Sequence, residues 1–266
     1  MISSVHNPRV QWVRELQAKP RARRQAGLCV VEGVRLVEEA QAWHEHGEQP
    51  AAEQVFYTAE VSERGQALVQ NCLAQGVQVE EVAAHVMSAM CETHTPQGIL
   101  AVVRIPRYLQ PAALDFTLIL DGMRDPGNLG SVLRTAAAAG VDAVLLPPET
   151  VDPYAPKVLR SGMGAHFHLR IFELSWEEIR RVVAAHRLSV YLAAARQGIV
   201  YTQADLRQPL ALVIGGEAAG AGDEIQGLGP SSIHIPMPGG SESLNAAAAA
   251  AAILFEVVRQ RMSVER

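Results

Sequence analysis

The sequence predicts an α/β protein of two domains, a small mixed domain followed by a larger one built on a parallel sheet. Three observations carry this. Short apolar segments of strand character alternate with stretches of helical periodicity through both halves. Residues 116–121, Phe-Thr-Leu-Ile-Leu-Asp, form a near-continuous apolar run of the kind buried on both faces of a parallel sheet. Between the halves, Ile105–Ala113 carries two prolines and little periodicity and reads as a linker. A length of 266 residues agrees, since it exceeds the usual single-domain size.

In chain order, the first half predicts a helix over Pro8–Ala18, a strand at Leu28–Val31 and a helix from Gly33 to His46. Strands at Gln54–Tyr57, Val77–Glu81 and Gly98–Arg104 follow, separated by helices of about three turns. The second half adds strands at Phe116–Asp121, Asp142–Leu146, Phe167–Phe172, Ser189–Ala194, Leu210–Ile214 and Ser232–Pro236. Helical patterns lie between most of them, and a final helix runs from Asn245 to Met262. The βαβα order implies a parallel sheet. No internal repeat is evident.

Hydrophobic residues at 48% and charged residues at 19% describe an ordinary globular chain and exclude wholesale disorder. The longest uncharged apolar run, Ala246–Phe255, is too short and alanine-rich to span a bilayer, and the first nine residues lack the apolar stretch of a secretory signal. A cytoplasmic location is expected. Cys29, Cys72 and Cys91 are far apart, which encodes neither a disulfide framework nor a cysteine zinc site and suits buried apolar fillers. Net charge is −5, yet between Met1 and Val31 six basic residues (Arg9, Arg14, Lys19, Arg21, Arg23, Arg24) face one acidic residue, Glu15. That local excess suits a nucleic-acid partner, and arginine is the better fork for phosphate. Codon bias explains the preference for arginine over lysine equally well.

Three glycine-containing segments stand out. In Asp121–Ala136, Asn128 is a natural N-cap, Gly130 and Ser131 would offer backbone N–H groups at a helix start, and Arg134 would add a planar cation for an anion. The alternative is a capped helix with an ordinary salt bridge. In Leu212–Gly220, a buried strand ends in Gly215, Gly216 and Glu217, so a ligand could approach the backbone closely, or Glu217 caps a helix after a tight turn. In Ile235–Asn245, a polar glycine-rich loop enters an alanine helix, with Ser243 and Asn245 as natural caps; capping explains the helix and not the loop. Gly122, Gly127 and Gly130 do not match the Rossmann spacing, and no Walker lysine is present, which disfavours the common nucleotide folds. His166 and His168 are expected to alternate on a strand and His44 and His46 to end a helix. Without a third ligand at metal spacing, no metal site is expected.

Together these segments resemble the three motifs of the SpoU (TrmH-type) branch of the SPOUT methyltransferases. Asn128-x-Gly-Ser-x-x-Arg134-Thr-Ala is similar to the first motif, Gly215-x-Glu217-x-x-Gly220 to the second, and Met237-x-Gly239-x-x-x-Ser243-Leu-Asn245 to the third. The first half, with Ser3-x-x-Asn7-Pro and Val31-Glu-Gly33, resembles the ribosomal-protein-like substrate-binding domain that often precedes them. Ala221, Ala246 and Ala247 depart from residues usual in the family without removing a polar catalytic group.

The resemblance implies S-adenosylmethionine as donor, an RNA ribose 2′-hydroxyl as acceptor and a trefoil-knotted carboxyl-terminal SPOUT domain. It implies an RNA substrate-binding domain over residues 1–105, a linker over 106–114 and the methyltransferase domain over 115–266. Large-subunit (23S) ribosomal RNA is the leading substrate and tRNA the alternative. The donor pocket is assigned to Gly215, Gly216, Ile235, Met237, Gly239 and Leu244, and catalysis to Asn128, Arg134, Glu217, Ser243 and Asn245. Since a guanidinium is a poor base, Arg134 is assigned to gripping the target phosphate and stabilising alkoxide charge, with the proton passing to a phosphate oxygen or water. Arg9, Arg14, Arg21, Arg23 and Arg24 are assigned to RNA. The small residues of Ala246–Ala252 permit close packing and point, with the resemblance, to a homodimer through the carboxyl-terminal domain. The competing readings are a non-catalytic RNA-binding assembly protein of the same fold and, less well supported, a nicotinamide oxidoreductase.

Overall fold

A computed structural model of the chain describes residues 1–45, 49–109, 111–215 and 222–263. The chain falls into two compact units, Met1–Arg107 with Asp152–His168, and Tyr108–Val151 with Leu169–Arg266.

The first unit opens with α1 (Pro8–Ala18), where Asn7 accepts from the Arg9 N–H and Pro8 presets the first helical φ. Helix α2 (Pro20–Ala26) stops at Gly27, whose φ of 68° is left-handed. There follow β1 (Leu28–Glu32), α3 (Val34–Ala42), the short antiparallel pair β2 (His44–Glu45) and β3 (Gln49–Pro50), β4 (Ala52–Tyr57), α4 (Glu63–Ala74), β5 (Gln78–Glu81), α5 (Ala84–Met90) and β6 (Ile99–Arg104). Helix α3 is shorter than periodicity suggests, because the chain becomes extended at Trp43, whose ring lies 6.3 Å from that of Phe167. His44 therefore lies on a strand, and His46 falls outside the described residues.

The sheet runs β1-β6-β4-β5, with only the β4–β5 pair parallel. Strand alternation splits its side chains between two cores. Cys29, Val31, Val55, Ile99, Ala101 and Val103 join α3 and α4 in one cluster, while Leu28, Val30, Phe56, Leu100 and Val102 join α1 and α5 in the other.

The second unit begins with β7 (Phe116–Asp121), α6 (Pro126–Ala139) and β8 (Ala143–Leu146). The chain then returns to the first unit. Asp152–His168 carries α7 (Pro156–Gly162), and its Tyr154, Leu159 and Phe167 enter the core cluster beneath α3 and α4. Asp152 pairs with Arg23, Arg160 with Glu92, and His168 with Glu39. In sequence the segment falls within residues 115–266, while in the fold it clusters with the first unit. The strand expected from Phe167 starts only at Arg170, because Gly164 (φ 92°) leads into a 3₁₀ turn over Ala165–Phe167. His166 and His168 thus do not alternate on a strand: the first is fully buried and the second meets Glu39 at the surface.

Back in the second unit come β9 (Arg170–Glu173), α8 (Trp176–Ala185) behind a Ser175/Glu178 capping box, β10 (Ser189–Ala194), β11 (Ile199–Val200), β12 (Leu210–Gly215), α9 (Asp223–Gln226), β13 (Ser231–His234) and α10 (Ala246–Met262). The sheet is parallel throughout, in the order β11-β13-β10-β12-β7-β8-β9. One face packs Ile119, Leu145, Val190 and Val213 against α8 and α9. Leu118 and Leu120, fully buried, alternate to the opposite face, and α6 packs on α10.

Candidate active site

Because the second sheet is parallel, the carboxyl ends of its strands share one edge, where ligands gather in open α/β sheets. The loop after β7 carries the first motif, the loop after β12 the second and the loop after β13 the third. These three strands and β10 are neighbours, with Gly215 directly opposite Asp121. Segments more than a hundred residues apart are thereby brought together.

The first motif differs in detail from its sequence reading. The N-cap of α6 is Asp125, whose side chain accepts from the Asn128 N–H at 2.8 Å, since Pro126 takes the first helical position. Asn128 is thus inside the first turn. Gly130 and Ser131 lie beyond the first four helical residues, so their N–H groups are used within the helix. Arg134 stands eight residues past Pro126, about 12 Å along the axis, too far to share an anion with the helix terminus. It is exposed, and no carboxylate or carbonyl among the described residues pairs with it.

At the third motif, Asn245 caps α10. Its side chain accepts from the N–H groups of Ala247 and Ala248 at 2.9 and 3.3 Å. Ser243, the other expected cap, is exposed and precedes the helix. The Asn245 amide donates to Asn128 Oδ1 at 3.0 Å, joining the first motif to the third. Each asparagine is held by its own helix start, so the bridge fixes both loops relative to the sheet edge.

At the carboxyl ends of β10 and β13 lies an open cleft of about 600 Å³ lined by Ile235, Met237, Gly240, Ser241, Arg196 and His234, among others. Gly239 has open space where a Cβ would stand. Leu244 is exposed for an apolar residue of its size. Of the second motif only Gly215, half-buried at the end of β12, is described; Gly216, Glu217 and Gly220 lie outside the described residues.

Three groups at this edge escaped sequence reasoning. Arg196 follows β10, whose neighbours in the sheet could not be read from the chain. His234 ends β13 and approaches the Gly198 carbonyl at 3.1 Å. Gly198 has φ 91° and packs so tightly that a Cβ would lie 1.9 Å from the Ser232 carbonyl oxygen. Asp121, ending β7, has its carboxyl pushed above the usual range by burial and by the charge of Glu149. An acid ending an apolar strand is the signal that marks it.

In the first unit, the basic residues separate. Arg14, Arg21 and Arg24 are exposed, and Arg9 is exposed but ion-paired with Glu80. Arg23 is not a surface residue. Its side chain, 3% exposed, is bound to Asp152 and to the carbonyls of Leu16 and Gln17, because it closes the last turn of α1 against Asp152–His168. Arg107, read as linker, is exposed and stands beside Gly27 at the end of α2, where a Cβ on the glycine would meet its Nη2 at 2.8 Å. Among the described residues no cluster of acids, histidines and cysteines fits a metal ion, and no helix is long and apolar enough to cross a membrane.

Comparison with known proteins places this geometry. Residues 115–255 match the model of the SpoU rRNA Methylase family, and residues 7–101 match the MRM3-like substrate binding domain. The chain is 32% identical over 256 residues to the 23S rRNA (guanosine(2553)-2'-O)-methyltransferase RlmP of Bacillus subtilis, covering 96% of this chain and 98% of that one. It is similar in structure to the SpoU methyltransferase AviRb of Streptomyces viridochromogenes in complex with AdoMet, with a TM-score of 0.82, 30% identity and coverage of 97% and 99%. An AdoMet-bound rRNA methyltransferase from Sinorhizobium meliloti gives a TM-score of 0.83 at 28% identity, covering 97% of each chain.

Proposed function

The chain belongs to the SpoU rRNA Methylase family, and from that premise we infer that it is an S-adenosylmethionine-dependent methyltransferase acting on a ribose 2′-hydroxyl of large-subunit ribosomal RNA. The observation that carries this reading is the Asn245–Asn128 hydrogen bond, which closes the first motif on the third at the carboxyl edge of the sheet, with Arg134 unpaired among the described residues on the same helix.

The residues present fit the donor. The cleft along Ile235–Ser241 has open space beside Gly239, and Gly215 ends its strand without a side chain. Gly215, Gly216, Ile235, Met237, Gly239 and Leu244 would hold S-adenosylmethionine, which when bound supplies an electrophilic sulfonium methyl. Arg134 grips the target phosphate through a bidentate fork and stabilises charge as the hydroxyl loses its proton to a phosphate oxygen or water. Asn128, Asn245, Ser243 and Glu217 orient the ribose, so that catalysis is chiefly alignment. The carboxyl-terminal region takes the trefoil path of the family, and the exposed arginines of α1 and α2 supply sequence-independent affinity for RNA. A cytoplasmic location goes with this reading, the RlmP relative being a bacterial protein.

The enzyme acts as a homodimer through α10. On that helix Ala248, Phe255 and Met262 are exposed at seven-residue spacing, an apolar stripe suited to a partner helix.

The test is transfer of labelled methyl to 23S rRNA, with mapping of the modified ribose. Arg134→Ala should abolish transfer while leaving donor affinity within about twofold; loss of donor binding in a folded variant would remove Arg134 from its RNA role. Methylation of tRNA but not 23S rRNA would move the substrate. Light scattering should give about twice the 28.7 kDa chain mass, and a fully active monomer would defeat the dimer.

A further inference from the structure

Away from the sheet edge just described, the first unit contains a cavity of about 410 Å³ lined by Val34, Thr58, Glu60, Ser62, Gln97 and Gly98, with Pro96 at its side. It lies where the start of α3, the end of β4, the start of α4 and the start of β6 converge. Its size is within the ~300–1,000 Å³ range of pockets that hold small ligands.

Its polar groups are set for a mixed hydrogen-bonding partner. Thr58 lines the cavity, and its hydroxyl makes no hydrogen bond to another described residue and stays accessible at the cavity wall, free to donate into it. Gln97 accepts from the Val34 N–H through Oε1 at 3.0 Å, which turns its amide N–H groups away from the helix. Ser62 accepts from the Gly65 N–H at 3.2 Å and keeps its own O–H to donate. Glu60 is exposed and adds two carboxylate acceptors. Gly33 and Gly98, with φ of 92° and 75°, hold the walls apart, and a Cβ on Gly98 would strike Thr58 Oγ1 at 2.6 Å.

One carboxylate among neutral donors disfavours a phosphate, by repulsion, and a metal ion, for want of a second acid. It suits a planar heterocycle offering two N–H donors beside a carbonyl. Guanine presents that edge, with N1–H and N2–H₂ for a carboxylate and O6 for a hydroxyl or amide. RNA is read in sequence chiefly through splayed single-stranded bases recognised on such edges.

We propose that this cavity receives a guanine splayed out of the RNA substrate, with Glu60 accepting from N1–H and N2–H₂, Thr58 and Gln97 donating to O6, and Val34 and Pro96 packing on the ring. The assignment rests on the reading of the chain as an RNA methyltransferase and gives its first unit a base preference in addition to charge.

Fluorescence anisotropy with the full chain tests it, using nine-nucleotide oligouridylates carrying a central guanosine, inosine, adenosine or uridine. The guanosine probe should bind about tenfold more tightly than the adenosine and uridine probes, and inosine, lacking the N2 amine, should fall between. Glu60→Gln and the near-isosteric Thr58→Val should each remove most of that preference, with donor affinity and melting temperature unchanged. In methyl transfer to 23S rRNA, Glu60→Gln should raise KM and leave kcat alone. Equal binding of all four probes, or a preference surviving both variants, would overturn the proposal. Binding of 5′-GMP as tight as the guanosine probe would assign the cavity to a free nucleotide and also overturn it. Donor titration and methyl transfer by the unaltered protein are scored separately. If they succeed while the probes bind alike, only the base pocket falls, whereas their failure removes the methyltransferase reading.

Discussion

Replacing Arg23 with methionine should destabilise the first unit severely and leave electrostatic attraction to RNA intact. Arg23 Nε and Nη2 reach Asp152 Oδ2 at 2.9 and 2.6 Å, and Nη1 reaches the carbonyls of Leu16 and Gln17 at 2.6 and 2.8 Å. The two side chains are 3% and 9% exposed. Removing the guanidinium strands a buried carboxylate and takes the donor from two carbonyls at the end of α1, which costs about 3–5 kcal/mol for a pair of this kind. At about 1.4 kcal/mol per decade, amide exchange across residues 152–168 should quicken by about 10²-fold to a few thousandfold. Hydrogen exchange read by mass spectrometry isolates those peptides from the second unit. The double variant Arg23→Met/Asp152→Leu should recover much of the loss, because no lone charge then remains buried. In parallel, Arg14→Gln/Arg21→Gln/Arg24→Gln should flatten the salt dependence of RNA binding, while Arg23→Met, measured where it is folded, should not. A destabilisation below about 1 kcal/mol, or a salt slope lowered by Arg23→Met alone, would refute the reasoning.

Asn245→Ala removes both the cap of α10 and the bridge to Asn128, so it should lose about 1–2 kcal/mol and nearly all methyl transfer. Asn245→Ser should restore the melting temperature by capping but not the activity; recovery of both would show that the bridge is dispensable. Gly215→Val should abolish donor binding, as seen by calorimetric titration, with the fold retained, and normal binding would place the donor elsewhere. His166 is fully buried, and among the described residues neither ring nitrogen meets a partner with hydrogen-bond geometry. Burial therefore holds its pKa down to about 4, with the Pro153 carbonyl and Asp152 carboxylate offsetting this only in part. The unfolded chain takes up that proton near pH 6.5, whereas the folded chain resists until about pH 4. Stability should thus fall by roughly 3 kcal/mol as pH drops through that window, and His166→Phe should flatten this acid limb in urea denaturation measured from pH 7 to 4.

The sequence by itself determined the elements whose causes are local. The apolar strand over 116–121, the helix starting at Pro8 and the alanine helix behind Asn245 depend on neighbours within a few positions, and each forms where it is expected. The motif segments stand out for a related reason, since a glycine-rich turn after a buried strand lets a ligand approach the backbone as well as making a tight turn. Sequence could not decide which strands lie side by side, because a parallel sheet is ordered by long crossovers that leave no periodic trace. The adjacency of Asp121 to Gly215, the approach of Asn245 to Asn128, and the presence of Arg196 at the cleft are therefore tertiary facts. The same limit misassigned Arg23. Six basic residues close together in sequence look like a surface, but a helix turns one of them inward, and Asp152, 129 positions away, supplies the charge that lets it stay there. Local chemistry fixed what each segment could do, and packing between distant segments fixed which side chains remain exposed to do it.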